Sequence, residues 1–324
     1  MDGYKPPDGV RVDVTARRDA ALYLGLAASW GTAFVATDAA LDTVPPVPLA
    51  AIRFDLAALA LFVVVLATGR ASRPRGRGDW APILIGGICN IGLHHALLFA
   101  GQRSVSPAVA ATLLGLVPVL TPVATRLTRA DEGLTRRGVV GILVGFAGVI
   151  LIANPDPSNL TASVGAALVL ASAAVWTVGA VFTDEDDAAL GGLALQAWTL
   201  LVGALALDAA AFVLPGQSFA AAAFPPATVG WVLYLAFVPG AIGFLVYFRL
   251  LDRLGPIEMG LIEYVIPPFA ALFGWWLLGD TIDAATVGGF VAILIGFCLL
   301  KAGVLRRRLY ERVAPAGASA SETD

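Results

Sequence analysis

Charge is what this chain has least of. Of its 324 residues 14% are charged and 58% hydrophobic, with a mean hydropathy of +0.81. Soluble proteins carry about 25% charged residues, and so few charges cannot cover a core of that size. A soluble globular protein is excluded; the composition is that of an integral membrane protein. Cysteine is nearly absent, and Cys89 and Cys298 both lie inside apolar runs, so there is no disulfide framework. Histidine occurs only as the adjacent pair His94 and His95, without a Cys, Asp or Glu three or four places on, which is a poor metal site. Lysine is confined to Lys5 and Lys301, and no Gly-rich loop leads into Lys and Ser/Thr. ATP binding in the P-loop manner is thereby excluded, and strong recognition of a phosphate dianion is not expected.

What is present is apolar length. Ten runs, each near the ~20 residues that span a bilayer, cover 20–38, 47–68, 80–102, 107–128, 137–154, 162–183, 190–213, 228–250, 257–279 and 284–305. The connectors are short and rich in Pro, Gly and Asp, and none is long enough to be a domain. No cleavable signal is visible, and the first run is expected to stay as an anchor. Cytoplasmic loops collect Lys and Arg. With the N-terminus inside, 19 of the 21 basic residues fall inside; only Arg103 falls outside, and Arg53 lies within a run. Ten crossings return the C-terminus inside, where Lys301, Arg306, Arg307, Arg308 and Arg312 need it. A multi-pass cell-membrane protein with both termini cytoplasmic is expected.

The chain also repeats itself. At an offset of 149, Phe99, Pro107, Pro118 and Asp131 fall on Phe248, Pro256, Pro267 and Asp280; at 148, Val139, Gly141 and Gly148 fall on Val287, Gly289 and Gly296. The expected layout is a tail at 1–19, a first repeat at 20–154, a second at 155–305 and a disordered tail at 306–324. Five spans per repeat means that the second copy enters the membrane from the other side, so the repeats are inverted. Pro118 and Pro122 in the fourth run, and Pro267 and Pro268 in the ninth, each remove a donor and kink the axis. Freed carbonyls in hydrocarbon must meet protein or a wet cavity. Matched interruptions in two halves point to a transport site; the plain alternative is a kink that only shapes packing.

Polar residues inside a bilayer are candidates for function. Glu263, one turn before the ninth run's proline pair, can hold an ammonium group or take up a proton, because burial penalises the charged form; it can also be a structural partner of a neighbouring helix. Asn90 lies one turn before His94 on the same face, giving the third run a polar lining, although an interhelical hydrogen bond would explain the histidines equally. Trp30 and Trp176 sit 146 apart, at matching places in the two halves, as packing residues or cavity wall. Tyr264 joins the candidate cavity residues. Arg53, near the outer end of the second run, reads as a structural ion pair with Asp208 or as reaching the outer interface, with a substrate ligand as the lesser alternative. Trp80, Trp275 and Trp276, near run ends, read as interfacial anchors.

Trp30-Gly31-Thr32-Ala33-Phe34, Arg53-Phe54, Ser106-Pro107-Ala108 leading to Val117-Pro118-Val119-Leu120, and Gly141, Gly145 and Gly148 form a set. With Gly255-Pro256, Pro267 and Gly279-Asp280 it resembles the drug/metabolite transporter superfamily, EamA-type ten-helix class, over roughly 20–305. The resemblance implies an all-α membrane fold, two inverted five-helix repeats around a central cavity, and movement of small metabolites, often outward. His94, His95 and Glu263 match no motif of that family. The expected function is secondary active transport, with export as the expected direction, by alternating access, of small organic metabolites such as amino acids or related amphipathic solutes. The alternative is a membrane-embedded metal enzyme built on His94, His95 and Glu263. Expected partners are a small-molecule substrate, the lipid bilayer and a proton as coupling ion; no catalytic residue, metal, cofactor or nucleic acid is expected.

Overall fold

The computed structural model describes residues 8–69, 73–128, 136–153, 160–183, 188–255 and 259–300. The expected disorder of 306–324, the corners at Asp131 and Pro256 and the side chain of Pro122 lie outside what is described. Ten helical rods follow one another. They are α1 (Asp8–Leu41), α2 (Pro46–Ala67), α3 (Arg77–Gln102), α4 (Pro107–Leu114 continued by Val117–Thr128), α5 (Arg136–Ala153), α6 (Leu160–Phe182), α7 (Gly192–Val213), α8 (Pro226–Leu254), α9 (Leu261–Leu278) and α10 (Ala284–Leu300). No strand occurs among the described residues. Eight rods are long and apolar enough to cross a membrane; α5 and α10, of 18 and 17 residues, complete the ten.

Local chemistry sets the ends. Pro46, Pro107 and Pro226 open α2, α4 and α8, where a missing N–H costs nothing because the first turn has no acceptor for it. Ser106 caps α4 by accepting from the Val109 N–H at 3.4 Å. Gly279, at φ 74°, stops α9 in the left-handed conformation that a side chain resists. Helix α1 starts well before its apolar run, because its polar first turns need no lipid to remain helical.

The packing shows the repeat directly. Helices α2 and α7 pack together, as do α5 and α10, and each pair maps onto itself when the halves are exchanged. The contact of α1 with α9 has its mate in α6 with α4; α3 with α6 is matched by α8 with α1, and α3 with α7 by α8 with α2. Each half has five crossings, so the copies are inverted. The major contacts run between halves, leaving the molecule's middle as the place where the repeats meet. Small residues permit the approach: a Cβ on Gly148 would lie 2.6 Å from the Gly289 carbonyl oxygen, and one on Gly31 in α1 would lie 2.6 Å from Phe269 Cβ in α9. Lipid-facing stripes such as Leu59, Val63 and Leu66 on α2, and Val287, Val291 and Ile295 on α10, remain exposed, as do Trp275 and Trp276.

Candidate functional site

Four helices depart from regular geometry, in two repeat-related pairs. In α4 the ladder tightens at Gly115 and Leu116: the Gly115 N–H is shared between the Ala111 and Thr112 carbonyls at 3.2 and 3.1 Å, and the Leu116 N–H reaches back three residues to Leu113 at 3.1 Å. Pro118, two places on, has no N–H for the Leu114 carbonyl, so the chain tightens there. In α9 the tight turn Leu261–Tyr264 precedes the regular piece Ile266–Leu278. This corrects the expected mid-helix kink. Pro267 and Pro268 stand at the start of a helical piece, and Glu263 and Tyr264 belong to the tight turn before it.

The other pair gave no signal in sequence analysis. Helix α3 widens to π geometry over Gly86–Leu93, and α8 does so over Ala236–Ile242. Both are third helices of their half. Widened turns loosen the backbone ladder and are frequent at functional sites. In α8 Pro239 supplies the cause, and the Trp30 Nε1–H of α1 donates to its carbonyl at 3.2 Å. In α3 three glycines replace the proline, and Asn90 Nδ2 donates to the Trp176 carbonyl of α6 at 3.0 Å. The two tryptophans therefore occupy matched seats against the two widened turns. Glycines 86, 87 and 92, and Pro239-Gly240, were the available clue.

Around the α3 turn a polar group is closed over by apolar walls. His94 is 5% exposed, and its Nδ1 bonds the Ser172 carbonyl of α6 at 2.9 Å while its ring stands 4.9 Å from Trp176. His95 is 9% exposed; its Nδ1 lies 3.1 Å from the Ile91 carbonyl and 3.2 Å from that of Asn90, in its own widened turn. A carbonyl only accepts, so both rings carry their proton on Nδ1 and leave Nε2 as the free nitrogen. The neighbours point apart, as helix geometry requires, His94 towards α6 and His95 towards Phe54 and Phe99 at 4.5 and 5.7 Å.

Arg53 enters the same group from α2, about two turns inside its start, and is 9% exposed. Its guanidinium carbon stands 4.8 Å over Phe54 and 5.8 Å over Phe99. Its Nε is sealed without a partner. The charge reaches His94, His95 and Tyr234. Thr32 on α1 gives its hydroxyl proton to the Ala28 carbonyl at 2.9 Å, so the hydrogen bond joining it to Tyr234 is donated by the tyrosine. Thr32, Phe54 and Phe99, which sequence analysis named only as motif or repeat residues, and Tyr234 and Ser172, which it did not name, are thus site neighbours.

Two expectations are corrected. Arg53 and Asp208 make no ion pair: Asp208 lies instead in the field of Asp55. Residues 53 and 55 of a helix point about 200° apart, so a group facing Asp55 cannot face Arg53. Nor does Glu263 join the histidines. It is partly buried on α9, beside the apolar cluster formed by Leu26 of α1, Leu250 of α8, Ile262 of α9 and Met259 just before it. Among the described residues no three His, Cys, Asp or Glu side chains gather to hold a metal. The metal-enzyme alternative lacks its ligand set.

Comparison with known proteins gives one family. The model described as "EamA-like transporter family" matches residues 19–154 and 163–301. Among relatives, the "Probable terminal-alkyne amino-acid exporter" of Streptantibioticus cattleyicolor is 28% identical over 86% of this chain and 92% of that protein. The "Probable amino-acid metabolite efflux pump" of Salmonella typhimurium is 26% identical over 90% of this chain and 98% of its own length. "Uncharacterized transporter YvbV" of Bacillus subtilis is 25% identical over 87% and 91% respectively. A solved crystal structure superposes with a TM-score of 0.62 at 21% identity, over 90% of this chain and 99% of that one, a likeness of fold.

Proposed function

Because this chain belongs to the EamA-like transporter family, we propose that it exports small amphipathic organic solutes, amino acids and their relatives among them, across the cell membrane by alternating access. The observation that carries the reading is the packing that survives exchange of the halves, with interrupted helices at matched positions. Residues 20–154 and 155–305 act as the two repeats, rocking about their shared interface. The turns next to Pro118 and Pro122, and next to Pro267 and Pro268, supply the hinges. Asn90, His94, Trp30, Trp176 and Tyr264 line the path. The names of the two exporter relatives support the solute class, and the loop charges support cytoplasmic termini.

Glu263 is the coupling group of this reading: a carboxylate with no hydrogen-bond or ion-pair partner among the described residues, on an interrupted helix. It takes a proton when open to one face and releases it at the other. The test is flux of an amino-acid panel from proteoliposomes under an imposed pH gradient, wild type against Glu263→Gln. The wild type should respond to the gradient and the variant should not. An equal pH response removes the coupling role, and a panel that never moves removes the transport reading.

A further inference from the structure

Arg53 is the one group in the site whose charge is left unanswered. The residue is 9% exposed and its Nε is sealed without a partner. Among the described residues no carboxylate pairs with it. The only acid near it in sequence, Asp55, is turned to the opposite face of α2 and towards Asp208. Against the guanidinium stand the Phe54 and Phe99 rings, and behind them His95, which packs on both rings and whose Nδ1 proton is already given to backbone carbonyls. The Nη edge lies outside the sealed atoms, so the residue's residual access is at the edge that can bind a carboxylate through two parallel N–H groups.

We propose that Arg53 is the carboxylate seat of the transported solute: a single negative head docks on its Nη edge, while the buried Phe54 and Phe99 rings back the guanidinium and hold it in place. With one cation in the site, it selects a monocarboxylate, free or zwitterionic, over a dianion or an uncharged amide. This rests on the transport reading and names the solute chemistry of the same site.

The test measures binding to the protein in lipid nanodiscs, apart from flux. The probes are 3-phenylpropionate, phenylalanine and their two carboxamides, titrated into wild type, Arg53→Lys and Arg53→Gln. Wild type should prefer each acid over its amide by roughly 30-fold, Arg53→Lys by less, and Arg53→Gln not at all. Equal wild-type affinity for acid and amide, no binding of either acid, or an acid preference that survives in Arg53→Gln overturns the proposal. If Arg53→Gln does not fold, the acid-to-amide ratio of the wild type decides alone. Flux is read separately in proteoliposomes. Acid binding without movement of any probe sinks the transport reading and leaves the seat standing; equal movement of acid and amide does the reverse.

Discussion

Replacing Asp79 should loosen the basic face of the molecule more than any other single polar change. Its side chain is fully buried at the start of α3. One carboxylate oxygen accepts from the Arg75 N–H at 2.6 Å; the other accepts from Ala189 and Leu190, at 2.8 and 3.0 Å. Residues 189 and 190 belong to the connector between α6 and α7, so a group of the first half holds backbone of the second. Hydrogen bonds to a charged acceptor contribute about 1.5–3 kcal/mol each, and buried N–H groups left without a partner cost on that scale. Asp79→Ala strands three, and with some rescue by water the loss should be about 3–5 kcal/mol. Asp79→Asn is the sharper variant. Its oxygen can keep Ala189 and Leu190, but its NH2 then meets the Arg75 N–H, donor against donor, for a loss of about 1–2 kcal/mol. These bonds must part if the halves separate at this face, so the same energies favour the state open there, by roughly 150- to 4,000-fold for Asp79→Ala. Melting of the purified protein reads the stability. Maleimide labelling of an Ala188→Cys reporter, in a background without Cys89 and Cys298, reads the opening. Asp79→Ala should melt lowest and label fastest, with Asp79→Asn between it and wild type. An unchanged melting point and labelling rate in Asp79→Ala, or an Asn variant as damaged as the Ala one, would refute the latch.

Three further outcomes follow from the same coordinates. Gly148→Ala places a methyl 2.6 Å from the Gly289 carbonyl oxygen and 3.0 Å from Ala292 Cβ, so α5 and α10 must separate; a loss of about 2–4 kcal/mol should appear as poor folded yield and a lower melting point. Trp30→Phe keeps the ring contacts with Phe244 and Tyr247 but deletes the hydrogen bond to the Pro239 carbonyl, and should cost about 1 kcal/mol in thermal unfolding while slowing flux, since the bond joins α1 to the widened turn of α8. Asp283 caps α10 through the Thr286 N–H at 2.7 Å, and hydrogen bonds from the Thr286 hydroxyl and N–H hold its carboxyl below the usual range. A lowered folded value means that its stabilisation is complete above the unfolded value near pH 4 and is lost as pH falls through the folded one; Asp283→Ala should therefore cost about 0.5–1 kcal/mol at pH 7, a difference from wild type that shrinks only below about pH 4.

The ten rods and the repeat could be read from the chain because both rest on one-dimensional signals. Apolar length marks a span whatever it packs against, and a proline has the same backbone effect in any neighbourhood. The internal offset then carried the symmetry, down to the seating of Trp30 and Trp176 against opposite halves. Partner choice was less legible, since it depends on rotation about a helix axis and on where a ladder slips. Arg53 was paired in the reading with Asp208 because both stand near the same end of their spans; the structure turns them apart, and that turn converts a structural ion pair into a lone buried cation. Likewise His94, His95 and Glu263 share a chain and a bilayer but not a face. The widened turns explain why. Five-residue hydrogen bonding in α3 rotates everything after Leu93 relative to a regular helix, so positions extrapolated from a 3.6-residue period drift from their true neighbours. Three glycines in α3 and Pro239 in α8, at matching places, are the only trace that such slips leave in sequence. In a membrane such slips are costly to leave unsatisfied, and here their freed carbonyls are met by Trp30 and His95. The polar site therefore exists because the helices that bear it are irregular, and a sequence method that assumes regular helices will place such a site on the wrong faces.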